Sequence, residues 1–142
     1  PHLDNSHNRK RNLWRVLNLL YYVTPNWKLE DGGNLELWSE GIKNTATTIE
    51  SSSNRLVVMA THQNSWHSVS KVKSERFRCC ISNYYFSTQP QTPEDSFHVT
   101  TFRGRPSEKI KDSLFQLDNF LRATLRKVFK EGITRDKHLY KK

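Results

Sequence analysis

The stretch that decides the fold is residues 14–23, which read Trp-Arg-Val-Leu-Asn-Leu-Leu-Tyr-Tyr-Val and are bounded by Pro25. A nearly continuous apolar run of this length, rich in aromatic residues, is typical of a β-strand that is buried on both faces. Side chains alternate along a strand, so Asn18 shares a face with Leu20 and Tyr22. The run therefore predicts a buried strand in which Asn18 is the polar interior residue.

Further strands are predicted on the C-terminal side of this run. Short apolar or alternating segments occur at residues 35–38, 46–49, 56–60, 66–72, 76–86 and 97–102. Turn-rich loops separate them, and residues 88–96 form a loop with two prolines and no apolar residue. Strands that follow one another without intervening helices indicate an all-β sandwich or barrel.

A helix is predicted after Pro106 and Ser107, with Gly132 as its end. Its apolar residues recur at steps of three and four, and Phe120 and Phe129 flank them. They are Ile110, Leu114, Leu117, Leu121, Leu125 and Val128. This spacing predicts one apolar stripe that packs against the sheet.

Length and composition limit the protein class. A chain of 142 residues with 35% hydrophobic residues predicts one domain with a modest core. The mean hydropathy is -0.81 and no apolar run approaches ~18 residues, so no transmembrane helix is expected. No secretory signal is visible. The two cysteines, Cys79 and Cys80, are adjacent, which argues against a disulfide framework and excludes a CxxC zinc module. We therefore expect a reducing, cytoplasmic setting.

The charge is unevenly distributed. The net charge is +9, and residues 103–142 carry 12 basic against 5 acidic residues. Such a tail can serve an acidic protein or a nucleic acid, but the interpretation we prefer is a solvated helix face. No zinc-finger, RNP or helix-turn-helix pattern is present, so a nucleic-acid partner is not expected.

Three residues have the character of metal ligands. His2 and Asp4 stand two positions apart in His-Leu-Asp, so their side chains leave an extended strand on the same side. His67 begins a later predicted strand. Two imidazoles and one carboxylate, with other coordination positions open, form the ligand set of non-haem Fe(II) oxygenases. His62, in the preceding polar turn, is a rival ligand.

Two arginines form a second constellation. Arg76 and Arg78 stand on one face of the predicted strand 76–86, shortly after His67. A charge inside a sheet is costly unless it is paired, and a guanidinium suits a bidentate carboxylate. A dicarboxylate co-substrate would serve as that partner. For one of the two arginines, a solvated position remains an open alternative.

Taken together, these residues resemble the Fe(II)/2-oxoglutarate-dependent dioxygenases, specifically the prolyl 4-hydroxylase-like group. The matching pieces occur in the order of that family and cover roughly residues 1–88. They are residues 2–4, 15–27, 32–38, 54–59, 67–69 and 78–86. The resemblance implies a mainly β fold, a double-stranded β-helix (jelly roll) that lacks its N-terminal part here, with the C-terminal helix packed on it.

The resemblance also implies a division of the chain and a set of site residues. Residues 1–88 would form the catalytic core, and residues 89–142 a loop, a basic amphipathic helix and a tail. Iron would be held by His2, Asp4 and His67. The distal carboxylate of 2-oxoglutarate would be held by Arg78 or Arg76, helped by Tyr22, with Asn18 lining the pocket. The register of Ile81-Ser82 and the aromatic residues 84–86 favours Arg78. Cys80 is expected on the same strand face as Arg78.

The implied activity is a dioxygenase reaction that hydroxylates an unactivated C–H bond and releases succinate and CO2. A prolyl residue is one candidate substrate, and peptides or small molecules remain open. The cofactors would be Fe(II), 2-oxoglutarate as co-substrate together with O2, and ascorbate as an optional addition. One alternative is a non-catalytic β-sandwich binding module whose basic tail docks an acidic or nucleic-acid partner. Another is a jelly roll with a structural zinc ion.

Overall fold

The strand predicted at residues 14–23 is present in the computed structural model, which describes residues 1–8 and 10–129. Gly132 and His138 lie outside the described residues. In chain order the elements are β1 (His2–Leu3), β2 (Trp14–Tyr22), a 3-10 turn (Leu29–Asp31), β3 (Leu35–Leu37), β4 (Thr47–Ile49), β5 (Arg55–Ala60), β6 (His67–Val69), β7 (Cys80–Ser87), β8 (Thr101–Phe102) and α1 (Lys109–Val128).

The strands form two antiparallel sheets. One has the order β4-β3-β6-β1-β8, and the other has the order β5-β2-β7. Buried apolar residues form the core, among them Leu3, Trp27, Leu35, Trp38 and Met59. Two sheets with one C-terminal helix agree with the predicted mainly β class and are compatible with a jelly-roll-like fold. The described part of the chain contains no helix long and apolar enough to cross a membrane.

The central strand β2 has two different faces. On the inner face, Asn18 and Tyr22 are buried, and Met59 of β5 is buried opposite Asn18. On the outer face, Leu56 and Val58 of β5 are more than half exposed. Tyr21 of β2 is also 37% exposed on this face, so the prediction that residues 14–23 form a strand buried on both faces is wrong. Among the described residues, no further layer covers the outer face of this sheet.

Three predicted strands are shorter in the structure. Residues 66–72 give only β6, and residues 97–102 give only β8. Residues 76–86 were expected to form one strand, but β7 begins at Cys80. Arg76 instead contacts Asp31, with its Nη2 2.8 Å from the carboxylate, and donates to the Asn26 carbonyl. Arg76 and Arg78 therefore do not share a strand face, which corrects that prediction.

The apolar stripe of α1 does not pack against a sheet. Its six residues, from Ile110 to Val128, are between 44% and 83% exposed. The opposite side of the helix makes the contacts: Phe115 lies against Phe102, and the Arg122 guanidinium donates to the Thr100 carbonyl at 2.7 Å. These polar and aromatic contacts with β8 fix the rotation of the helix, so the predicted packing of the stripe is wrong.

Candidate metal centre

Strand pairing brings the three predicted metal ligands together. β1 lies between β6 and β8, with His2 directly opposite His67. Directly paired residues on one face have neighbouring side chains, and the two imidazole centroids are 4.1 Å apart. Asp4 follows two residues later: its Oδ1 is 3.8 Å from His2 Nε2, and its Oδ2 is 4.0 Å from His67 Nε2. One ligand atom from each residue lies within 4.8 Å of the others.

The environment of these side chains fits a divalent metal ion. His67 Nδ1 lies 2.9 Å from the Ser65 carbonyl. A carbonyl only accepts, so Nδ1 carries the proton and Nε2 turns a lone pair toward the cluster. Burial, and then the neighbouring His67, lower the pKa of His2 to about 4, so this imidazole is neutral near pH 7. Asp4 Oδ2 is buried and has no hydrogen-bond partner among the described residues. One nitrogen from each imidazole and one carboxylate oxygen thus lie close enough to hold a single ion.

The rival ligand His62 lies outside this cluster. Its Nδ1 accepts a hydrogen bond from the Asn64 backbone N–H at 3.3 Å, within the turn that precedes β6. The same turn is closed by the Ser65 hydroxyl, which donates to the His62 carbonyl. These local bonds explain the position of His62 without a metal ion.

Arg78 reaches the interior at the opposite end of β2. Its guanidinium carbon is 5.6 Å from the centre of the Tyr22 ring. Tyr22 is almost completely buried, and this burial raises the pKa of its hydroxyl, although the Ser51 hydroxyl beside it acts in the opposite direction. Within the described part of the chain, no carboxylate forms a salt bridge with Arg78, whereas Arg76 is paired with Asp31. Of the two predicted arginines, only Arg78 is available to a dicarboxylate.

Gly33 makes room for Arg78. Its φ is +65°, a left-handed conformation that favours glycine, and an added Cβ would lie 2.6 Å from Arg78 Cδ. Gly33 lies two residues before β3 of one sheet, and Arg78 lies two residues before β7 of the other sheet. The Arg78 side chain therefore crosses from one sheet toward the other where a larger residue would block it.

Arg15, Asn18 and Tyr22 lie on the inner face of β2 and form a stripe of polar side chains between the candidate metal ligands and Arg78. Asn18 lies on the same face as Tyr22, as predicted, and its Oδ1 accepts a hydrogen bond from the Ser82 hydroxyl at 3.1 Å. At the end near the metal ligands stands Arg15, with its Nη1 3.3 Å from Asp4 Oδ2 and its guanidinium 3.9 Å from the Tyr84 ring centre. Sequence reasoning assigned Arg15 no role, although an arginine near the start of an apolar strand signals the need for a partner.

A second group that the sequence did not reveal supports β6. Ser68 follows His67; its hydroxyl accepts from Trp38 Nε1 at 2.8 Å and donates to Glu36 at 2.6 Å. Arg105 also contacts Glu36, at 2.6 Å. Burial works in the opposite direction, but the hydrogen bonds from Arg105 and Ser68 lower the pKa of Glu36. This network ties β6 to β3 next to the candidate metal ligand.

Comparison with known protein families matches residues 1–86 to the 2OG-Fe(II) oxygenase superfamily. The chain belongs to this superfamily. Its members use Fe(II) and 2-oxoglutarate, and O2 is the second co-substrate, so membership supports a dioxygenase. Comparisons with curated proteins and with solved structures found no match. The region that matches the superfamily contains β1, β2 and β6, and with them all three candidate metal ligands.

Proposed function

We propose that this chain is the catalytic part of an Fe(II)- and 2-oxoglutarate-dependent dioxygenase that hydroxylates an unactivated C–H bond, on a jelly-roll scaffold. The observation that carries the proposal is the convergence of His2, Asp4 and His67, with ligand atoms within 4.8 Å of one another. A 2-His-1-carboxylate set occupies one side of an iron ion and leaves positions open for a co-substrate and O2.

The residues of this chain have distinct tasks in that reaction. The Ser65 carbonyl keeps the proton of His67 on Nδ1, so that Nε2 is available as a ligand. His2 is neutral, because burial lowers its pKa to about 4. Arg78 would hold the distal carboxylate of 2-oxoglutarate by a bidentate contact, with the Tyr22 hydroxyl as a second donor. When bound, iron would supply the oxidising chemistry with O2 as the oxidant: one oxygen atom would convert 2-oxoglutarate to succinate and CO2, and the other would enter the C–H bond.

The substrate belongs to the proposal as well. The resemblance to the prolyl 4-hydroxylase-like group favours a prolyl residue in a peptide. The inner stripe of β2 lies between the candidate iron ligands and Arg78, so it would line the co-substrate pocket rather than select the substrate. Substrate selection therefore falls to surfaces beyond this stripe, and a panel of prolyl peptides and small aliphatic compounds is the appropriate search.

The test measures succinate release with Fe(II), 2-oxoglutarate, O2 and this panel, under otherwise identical conditions, with and without ascorbate. We expect succinate release that depends on a substrate and that falls to background in His67→Ala. His62→Ala is the matched control, because His62 is a neighbouring histidine outside the cluster, and it should retain activity. Turnover that survives His67→Ala would refute the ligand assignment. Nucleic-acid binding that weakens steeply with salt, in a chain that binds no iron, would favour the non-catalytic binding module instead.

A further inference from the structure

A small cavity beside Asp4 is lined by residues whose buried polar atoms lack a hydrogen-bond partner. Among the described residues, three buried side-chain atoms lack a hydrogen-bond partner: Asp4 Oδ2, Arg15 Nε and Thr61 Oγ1. All three residues line the same cavity, which has a volume of about 10 Å³. Buried polar groups are nearly always hydrogen-bonded, so their meeting at one cavity calls for a common partner.

A β-bulge in β2 determines where these groups lie. The pairing of β2 with β7 shifts register between Arg15 and Leu17, which is the sign of a β-bulge. A bulge turns the next side chain to the other face of a strand, and Arg15 accordingly lies over Tyr84, on the inner face. Thr61 directly follows β5, and its N–H donates to the carbonyl of Val16 within the bulge at 2.9 Å. One local irregularity thus brings Arg15 and Thr61 to Asp4.

The size and chemistry of the cavity identify its occupant. A volume of about 10–15 Å³ accommodates a single water molecule, which needs two to four polar partners. Arg15 Nε offers a donor, Asp4 Oδ2 an acceptor, and the Thr61 hydroxyl can act as either. Two other polar side chains on the wall are engaged elsewhere: Asp95 accepts from the Gln63 and Thr92 backbone, and His98 Nδ1 contacts the Ser96 carbonyl.

We propose that one buried water molecule bridges Asp4, Arg15 and Thr61, and that Arg15 and Thr61 are positioning residues for the Asp4 carboxylate. The Arg15–Asp4 contact at 3.3 Å lacks the alignment of a hydrogen bond, because Asp4 Oδ2 has no partner. The water supplies the aligned bonds. The consequence for metal binding rests on the proposed function: partners behind a ligating carboxylate orient it, and their loss weakens metal affinity about 10- to 100-fold.

The experiment compares two substitutions at one position. Thr61→Val keeps the shape of the side chain but removes the hydroxyl, whereas Thr61→Ser keeps the hydroxyl. Thr48→Val is the matched control, since Thr48 is exposed in β4. The dissociation constant of Mn²⁺ is measured by calorimetry, and the electron paramagnetic resonance spectrum of bound Mn²⁺ reports its ligand geometry. We expect Mn²⁺ binding about 10-fold weaker and an altered spectrum in Thr61→Val, and wild-type behaviour in the other two variants.

Each other outcome has a defined meaning. Wild-type Mn²⁺ affinity in Thr61→Val, or equal losses in Thr61→Val and Thr61→Ser, overturns the positioning role. If Thr61→Val does not fold, Arg15→Lys replaces it, because lysine keeps the charge beside Asp4 but lacks Nε–H. It should also weaken Mn²⁺ binding about 10-fold, and unchanged binding overturns the role. If the wild-type protein binds no metal, the proposed function fails; a crystal structure of the metal-free protein then decides the hydration site, which is wrong if no water density joins the three residues.

Discussion

The two faces of the sheet β5-β2-β7 have opposite characters. The inner face is buried at β2 and β5, where Asn18, Tyr22 and Met59 are only 3%, 2% and 6% exposed, and it carries polar as well as apolar residues. The outer face carries apolar residues and is open to solvent, with Val58, Ile81 and Tyr85 all exposed. Burying polar groups is costly unless they are paired, and Asn18 Oδ1 accordingly accepts a hydrogen bond from the Ser82 hydroxyl. Apolar character alone therefore did not indicate which face is the interior.

The sharpest test of this difference uses two neighbouring tyrosines. Tyr22 is 2% exposed on the inner face, and Tyr21 is 37% exposed on the outer face. Truncating a large buried aromatic residue costs about 3–5 kcal/mol, so Tyr22→Ala should lower the free energy of unfolding by that amount. Tyr21→Ala should cost about 1 kcal/mol, as is usual for substitutions outside the core. Urea unfolding measures both, and equal losses would remove the distinction between the faces.

The next effect concerns the two arginines of the 71–79 loop. Arg78 contacts Tyr22 of the inner face, whereas Arg76 is tied to Asp31 outside it. Losing a charge-assisted hydrogen bond to a bound carboxylate costs about 1.5–3 kcal/mol, so Arg78→Met should raise the dissociation constant of 2-oxoglutarate about 10- to 100-fold. Arg76→Met is the control and should bind 2-oxoglutarate like the wild type. Calorimetric titration with 2-oxoglutarate measures the dissociation constants. A larger loss of affinity in Arg76→Met than in Arg78→Met would assign the carboxylate contact to Arg76 instead.

A smaller effect tests the space that Arg78 occupies. Gly33 and Gly41 both have positive φ, +65° and +87°, but only at Gly33 would an added Cβ meet Arg78. The backbone strain of a left-handed alanine, about 1–2 kcal/mol, is therefore common to both alanine variants. Gly33→Ala should in addition weaken 2-oxoglutarate binding about 10-fold, or about 1.4 kcal/mol. If Gly41→Ala weakens binding equally, backbone strain and not the blocked side chain is the cause.

The closeness of the three candidate metal ligands could be predicted in part, because the arrangement of His2 and Asp4 is local. The period of two places His2 and Asp4 on one side of a strand, and His67 at the head of a later strand completed the candidate set, which the family resemblance then supported. The cross-strand pairing of His2 with His67 then follows from the sheet. By contrast, the role of Arg15 depends on a bulge between β2 and β7, and no residue pattern within β2 marks that shift of register.

The predictions of the fold that were wrong have a shared origin. The helix stripe from Ile110 to Val128 was expected to pack against the sheet because it is apolar, yet it is exposed, as are Leu56 and Val58 of β5. The rotation of α1 is set by distant partners, such as the Arg122 contact with the Thr100 carbonyl. Likewise, Arg76 was expected in a strand, but Asp31, 45 residues earlier, draws it into a loop. Long-range polar contacts of this kind are not encoded in local periodicity.

The attachment of α1 gives a prediction with a pH dependence. Arg103 beside Asp112 lowers the pKa of this carboxyl to about 2, from 3.8. The folded-state pKa is the lower one, so the stabilisation is present above pH 3.8 and is lost as the pH falls toward 2. Asp112→Asn should lower the free energy of unfolding by about 1 kcal/mol at pH 7. Between pH 3.8 and 2, the free energy of unfolding of Asp112→Asn should change less steeply with pH than that of the wild type. An identical dependence on pH in both proteins would contradict the pairing of Asp112 with Arg103.

The smallest effect is expected on the outer face itself. Val58 is 56% exposed, and its neighbour Met59 is 6% exposed on the inner face. Val58→Thr preserves shape and β-propensity and adds a hydroxyl that water can solvate, so the free energy of unfolding should change by less than about 0.5 kcal/mol. Met59→Thr places the same hydroxyl in the interior and should cost about 2 kcal/mol or more. Urea unfolding of the two variants compares the faces at adjacent positions of β5. A loss in Val58→Thr as large as that in Met59→Thr would show that the outer face is covered in solution, and the contrast between the faces would then be one of chemistry and not of exposure.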